Sequence, residues 1–120
     1  MSVIDKYDPI SGGFRAPLNA AYSTPEVALG VSLNASGRVV PGGAGQTGFV
    51  GVICHGRTLV AGAIIDVMTD GELVEVPTIP AGTKVYATAA DGTLTATATG
   101  NTYIGHTVEA GRLVVRAKRP

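Results

Sequence analysis

The sequence contains few of the residues from which catalytic, metal-binding and disulfide sites are built. Its one cysteine, Cys54, excludes an internal disulfide framework and a cysteine-based structural zinc site. There are two histidines and no tryptophan, and the aromatic residues are two Phe and four Tyr. Hydrophobic residues make up 45% of the 120 residues but are mostly Ala and Val, which bury little area each. We therefore expect one domain with a modest core, whose stability depends partly on partners.

The chain also lacks an excess of charge of either sign, because nine basic residues balance nine acidic ones. Without a positive field to attract phosphate groups, nucleic acid is excluded as the principal partner. The first six residues have neither the basic nor the apolar region of a secretion signal, and no apolar run approaches the roughly 20 residues of a membrane span. We expect a soluble protein without a membrane partner, synthesised in a reducing cytoplasm.

Glycine is abundant, with 17 residues, and it falls where turns are expected. Asp-Gly pairs occur at 70–71 and 91–92, and both residue types tolerate the positive φ of tight hairpin turns. An Ala-Gly pair closely preceded by an apolar residue occurs three times, within residues 60–63, 79–82 and 108–111. Turn signals at this spacing indicate many short strands and little helix.

The segments between these turns predict hairpins. In the segment 93–99, Thr alternates with Leu or Ala, which is the period of two of a half-buried strand. The predicted pairings are 27–33 with 38–40, 63–68 with 72–76 across Asp70-Gly71, 84–88 with 93–99 across Asp91-Gly92, and 103–108 with 112–117, with a buried strand at 49–54. Seven or eight short strands without a long amphipathic helix predict an all-β protein, either a small β-barrel or a sandwich.

Residues 1–26 differ from the regular region 27–120, and we treat them as an extended N-terminal arm. Three prolines bias the residues before them toward extended conformations. The arm still carries apolar residues, which disordered tails usually lack. These are Ile4, Tyr7, Ile10, Phe14, Leu18 and Tyr22. Two compatible roles follow: the arm closes the protein's own core, or it is a latch ordered by a partner.

The glycine-rich segment 43–48 matches the G-x-G-x-x-G pattern, but neither chemistry associated with that pattern is expected. The dinucleotide-binding version needs a helix directly after the glycines, and here a β-rich run follows. The protein-kinase version needs catalytic motifs that a chain of this length does not contain. We interpret this segment as a flexible loop.

The remaining reactive residues form no catalytic or metal-binding pattern. Cys54 and His55 are neighbours on a predicted strand, so their side chains point to opposite faces, and Cys54 is expected to be a small buried hydrophobe. His106 supplies a second imidazole without a third ligand. The acidic residues of one segment are interpreted as solvated edge charges. They are Asp66, Asp70, Glu72 and Glu75. The C-terminal end is basic. It is either a solvated tail or a contact for an acidic surface of a partner.

The order of turns and strands resembles that of capsid decoration (cement) proteins of tailed phages. The resemblance rests on a recurring rhythm of small apolar residues, glycine turns and Val-rich strands over about residues 48 to 117. The segments that carry it are Gly-Val-Ile at 51–53, the run 60–68, Asp-Gly at 70–71, the run 79–85, Asp-Gly-Thr-Leu at 91–94, 103–107 and Leu-Val-Val at 113–115.

This resemblance implies a small β-barrel or β-tulip on the outer capsid surface, commonly trimeric at three-fold positions, whose N-terminal arm contacts the major capsid protein. Such a protein stabilises the shell by bridging capsid subunits and is neither an enzyme nor a cofactor carrier. If the arm is the latch, its apolar side chains fill shallow pockets of the partner. The predicted anchors are Ile4, Tyr7, Ile10 and Phe14.

Two other functions remain as alternatives. A carrier-type domain of the lipoyl or biotinyl kind would need a lysine at a hairpin tip, typically beside methionine, but Met68 is followed by Thr-Asp-Gly. A small ligand-binding or enzymatic β-barrel would need convergent polar residues, and the sequence offers scattered Thr and Asp and two His. Association with capsid shells distinguishes the structural role from both.

Overall fold

The structure is a computed structural model that describes residues 12–24, 27–74 and 79–116. Every regular element in these ranges is a β-strand, which confirms the predicted all-β class. The strands are β1 (Gly13–Pro17), β2 (Leu29–Leu33), β3 (Val39–Pro41), β4 (Phe49–Ile53), β5 (Ile64–Met68), β6 (Asp70–Val74), β7 (Lys84–Thr88), β8 (Leu94–Thr95), β9 (Asn101–Glu109) and β10 (Arg112–Arg116). None of the described ranges contains a helix long and apolar enough to cross a membrane.

The strands form two antiparallel sheets of five strands each. The first sheet has the order β1-β5-β4-β2-β3, and the second has the order β6-β10-β9-β7-β8. A single parallel bridge between Leu18 and Val39 joins the two edges of the first sheet, which falls short of a closed barrel. The described strands are therefore two open sheets, and the closed barrel that the sequence suggested is not formed by their hydrogen bonds.

Three predicted hairpins are present, and one is wrong. β2 pairs with β3, β7 with β8, and β9 with β10, as the local turn signals indicated. β5 and β6 do not pair with each other, since Thr69 alone separates them and they belong to different sheets. Asp70 and Gly71 lie inside β6, and Gly71 has no positive φ. The chain bends at Thr69 and passes from one sheet to the other, because Val67 packs in one core while Leu73, beyond the crossing, packs in the other.

Each sheet has its own hydrophobic cluster, and β4 contributes to both. Side chains alternate along a strand, so Val52 faces one cluster and Ile53 the other. The cluster of the first sheet contains Ala16, Leu18, Tyr22, Val31, Val39, Ile53, Ile65 and Val67. The cluster of the second sheet contains Ala28, Val52, Ile79, Val85, Ala87, Ile104, Leu113 and Val115.

A contact between backbone segments also connects the two sheets. The Gly30 N–H on β2 donates to the carbonyl oxygen of Gly92 at 2.8 Å, and the Gly42 N–H donates to the Gly30 oxygen at the same distance. Gly92 has a φ of 79°, and a Cβ on it would lie 2.0 Å from the Gly30 oxygen. Glycine at 92 therefore permits both the turn before β8 and the close approach of β2.

Candidate functional site

The structure places one of the four predicted anchor residues. Phe14 lies in β1 opposite Val67, where it is half-buried and packs against the cluster of the first sheet. Five residues of the predicted arm, Gly13–Pro17, thus form the edge strand of that sheet. Ile4, Tyr7 and Ile10 lie outside the described residues.

The two ends of the described chain meet at Asp70. At the N-terminal end, the Gly12 carbonyl oxygen accepts hydrogen bonds from the Thr69 N–H at 3.0 Å and the Asp70 N–H at 3.3 Å. At the C-terminal end, Arg116 is the antiparallel partner of Asp70, and its guanidinium forms an ion pair with the Asp70 carboxylate. Residues 1–11 and 117–120 therefore attach to the molecule at neighbouring points.

A groove of about 710 Å³ lies at this meeting point, lined by residues in or next to β1, β4, β5 and β6. Its lining is mainly apolar, from Phe14, Val52, Val67, Met68 and Leu73. Gly12, Arg15, Asp66 and Asp70 also line it, together with Cys54 and His55. We call this feature the junction groove.

Ion pairs surround the junction groove and continue along β6. The Arg15 side chain contacts the Asp66 carboxylate at 2.9 Å, and both side chains are largely exposed. Arg112 contacts Glu72 at 3.2 Å and Glu109 at 3.0 Å. The hydrogen bond from Arg112 lowers the pKa of Glu72, and its bond to Glu72 in turn raises the pKa of Arg112.

These exposed pairs contribute little to stability, because solvent screens them. Asp70 and Glu72 lie on the edge strand β6, as the interpretation as edge charges predicted, whereas Asp66 lies on the inner strand β5, where that interpretation is wrong. Glu75, the fourth member of the predicted cluster, lies outside the described residues.

Cys54 and His55 lie next to each other just after β4. Cys54 is exposed, so the prediction that it is a buried hydrophobe is wrong; it lies just after β4, where the alternation of the strand has ended. The His55 ring packs edge-on against Tyr22 at 5.7 Å between ring centroids, and its Nε2 is buried without a hydrogen-bond partner in the described structure. His106 lies on β9 between Lys84 and Val114. No cluster of three or more His, Cys, Asp or Glu suited to a metal ion occurs among the described residues.

The glycine-rich segment 43–48 is a loop that precedes β4, so its resemblance to a phosphate-binding motif has no structural basis. The buried side chain of Ser32 holds this loop in place. Its hydroxyl donates a hydrogen bond to the Gly42 oxygen at 2.8 Å and accepts one from the Gly45 N–H at 2.9 Å. The sequence did not predict this role, because nothing about a serine inside a short strand indicates which loop its hydroxyl will bond to.

Asp91 shapes the turn between β7 and β8. Its carboxylate accepts a hydrogen bond from the Thr88 hydroxyl at 2.6 Å and another from the Thr93 N–H at 3.0 Å. These bonds lower the pKa of Asp91 from 3.8 to about 2, and the bond from Thr88 has the largest effect. The residue thus has a structural role in the turn, as the Asp-Gly signal predicted.

Comparison with known proteins finds similarity to phage proteins. A solved structure from Mycobacterium phage Patience is similar, with a TM-score of 0.78 and 22% sequence identity, over 97% of this chain and 96% of that one. At that identity the likeness establishes the fold. No curated protein matches the sequence. A family model for phage cement proteins matches residues 24–112, which is well over half of the chain. The chain therefore belongs to the phage cement protein family, whose members decorate capsids.

Proposed function

We propose that this cement protein binds the outer surface of the phage head and stabilises the shell by bridging neighbouring major capsid protein subunits. The observation that carries the proposal is the meeting of Gly12 and Arg116, the two ends of the described chain, at Asp70 beside the junction groove. An apolar segment and a basic segment therefore attach on one side of the molecule. A partner surface with apolar pockets and acidic groups would match that side.

The N-terminal arm is the part that reaches the shell. Its side chains Ile4, Tyr7 and Ile10 would fill apolar pockets, since large apolar and aromatic anchors usually supply most of the energy of such interfaces. Phe14 differs from them, because it already packs in the first sheet. The arm that is free to bind a partner therefore precedes Gly12. Lys118 and Arg119 would meet acidic groups of the shell.

The proposal includes a homotrimer at three-fold positions of the shell. Support comes from large apolar side chains that the monomer leaves in solvent. Val60 is 75% exposed and Ile64 is 61% exposed, and Val108 at a second glycine turn is 50% exposed. A shell position where three copies meet would cover such residues.

We further propose that the role is structural, without catalysis and without a cofactor. The protein would be synthesised in the host cytoplasm and would act on the outside of the virion. Support comes from the family membership and from the pairing of the described acidic side chains with arginines at the surface.

The test uses phage heads assembled without the cement protein and measures rebinding of added protein. Removal of residues 1–11 should leave the circular dichroism spectrum of the β-fold unchanged, because β1 begins at Gly13. It should weaken binding by about tenfold or more, which corresponds to about 1.4 kcal/mol. A chain in which Gly and Ser replace residues 1–11 at equal length separates the loss of apolar anchors from the loss of length. Binding as tight as that of the full chain in both variants would show that the arm is not the attachment.

A further inference from the structure

The second sheet has one face in the core and one outer face, because side chains alternate along each of its strands. Val85 on β7 and Leu113 on β10 are fully buried, so the residues beside them in these strands lie on the outer face. Directly opposite residues of paired strands share a face, so the register extends this face from β7 through β9 and β10 to β6. We call it the tyrosine face, and its central residues are Glu72, Lys84, Tyr86, Tyr103, His106 and Val114.

Aromatic and aliphatic side chains occupy the middle of the tyrosine face. Tyr86 and Tyr103 lie opposite each other, in an edge-on contact between rings whose centroids are 5.9 Å apart. Tyr103 is 39% exposed, and Val108, two residues after His106 on β9, is 50% exposed. The solvent face of an antiparallel sheet is usually polar, so a group of large apolar side chains there indicates an interaction surface.

Charge on the tyrosine face is balanced at β6 but not at β7. Glu72 on β6 forms an ion pair with Arg112 at 3.2 Å. Lys84 on β7 is exposed and lies opposite His106, and none of the ion pairs between described residues includes it. Three strand spacings, about 14 Å, separate Lys84 from Glu72, so that carboxylate does not neutralise it. A partner that covers this face should therefore place a carboxylate near Lys84.

The tyrosine face continues to the point where the two ends of the described chain meet. Arg116 lies two residues beyond Val114 on β10, so its side chain is on the same face, and it forms an ion pair with Asp70. The Asp70 N–H in turn donates to the Gly12 oxygen. A surface contacted by residues 1–11 and 117–120 would therefore lie beside this face.

We propose that the tyrosine face is a second contact with the phage head, and that it fits a patch of the major capsid protein with an apolar centre and a carboxylate that pairs with Lys84. This inference rests on the proposed function and names the surface that faces the shell. Tyrosine rings supply a large contact area and lose few rotatable bonds on binding, so Tyr86 and Tyr103 would be the apolar anchors. Two contacts on one molecule also strengthen its overall binding, since the second forms within the bound complex.

The test measures rebinding of the full chain to phage heads assembled without the cement protein. Tyr103→Thr keeps a residue type suited to a strand but removes the ring, and it should weaken binding by about tenfold or more. Lys84→Glu should weaken binding by about tenfold at low salt and by less at high salt, because salt screens the charge at this position. The matched control is Arg57→Glu, which makes the same change in net charge at an exposed residue outside the tyrosine face. It should change binding by less than about threefold.

Circular dichroism and thermal unfolding of each variant report whether the fold is retained, and Lys84→Glu changes only an exposed side chain. Unchanged binding of both Tyr103→Thr and Lys84→Glu would overturn the proposal, and so would equal weakening by Lys84→Glu and Arg57→Glu. Loss of self-association in Tyr103→Thr, with full shell binding, would assign the face to a second copy and also overturn it. Failure of the unmodified chain to rebind would instead contradict the proposed function, and this contact with it. The two failures are therefore distinguishable.

Discussion

At the scale of single residues, Gly92 and Gly37 both have a left-handed backbone, but only Gly92 touches another backbone segment. Their φ angles are 79° and 76°, and a Cβ at Gly37 would meet no atom within 4 Å, whereas at Gly92 it would overlap the Gly30 oxygen. We expect Gly37→Ala to lower the free energy of unfolding by about 1 kcal/mol and Gly92→Ala by about 3 kcal/mol, measured by urea titration. Equal losses in the two variants would show that β2 can move away from residue 92 without a loss of stability.

Asp91 should make the free energy of unfolding depend on pH under acidic conditions, and one substitution should remove this dependence. Hydrogen bonds hold its folded pKa at about 2, below its ordinary value of 3.8, so its contribution is present above that ordinary value and is lost as the pH falls toward 2. Asp91→Asn keeps an acceptor oxygen without the charge. Because Asp91 is exposed, the variant should be less stable at neutral pH by under about 1 kcal/mol. Urea titrations between about pH 5 and pH 2 should show this difference shrinking. A difference that stays constant would contradict the assignment.

Sequence patterns located the turn at 91–92 but did not show which residues in or beside a strand are buried and which are exposed. The Asp-Gly pair at 91–92 identifies a turn because φ and side-chain bonding are local properties. Ser32 and Cys54 gave no such signal, since the phase of a strand, and therefore which residues face inward, is set by packing against distant elements. Cys54 was consequently assigned to the wrong environment.

At the scale of elements, one buried hydroxyl holds a turn against β9. Thr107 donates to the Pro80 oxygen and accepts from the Thr83 N–H at 3.0 Å, which fixes the turn 79–82. Thr107→Val keeps the shape of the side chain but leaves both groups without a partner. We expect a loss of about 1–3 kcal/mol in the free energy of unfolding. Thr102→Val on the same strand is the matched control and should change it by less than about 0.5 kcal/mol. A similar loss in both would attribute the effect to strand position rather than to the hydrogen bonds.

Element pairs were predictable where the pairing is local. The β2–β3 and β9–β10 hairpins follow from turns of a few residues. The crossing at Thr69 did not follow, because Asp-Gly fits a hairpin locally, while burial of Val67 and Leu73 in two different cores carries the chain from one sheet to the other. β1 was included in the predicted arm, since Gly13 and Pro17 at its ends obscure a strand pattern.

At the scale of the whole molecule, we expect weak self-association in solution. The core is built largely from small side chains, and Val60 and Ile64 remain mostly exposed. Sedimentation velocity over a concentration series should show a monomer that shifts toward a trimer, or a monomer that becomes grouped in threes on the shell. A protein that stays monomeric in solution and is evenly spaced on the shell would exclude the trimer.

The crossing at Thr69 also has a consequence for the order in which the protein forms. All strands of the first sheet precede Thr69, and all strands of the second follow it. The ribosome therefore releases a complete set of partners for the first sheet before it makes the second. We expect the first sheet to gain protection earlier during refolding, which pulsed hydrogen exchange would detect. Simultaneous protection of both sheets would mean that neither half folds ahead of the other.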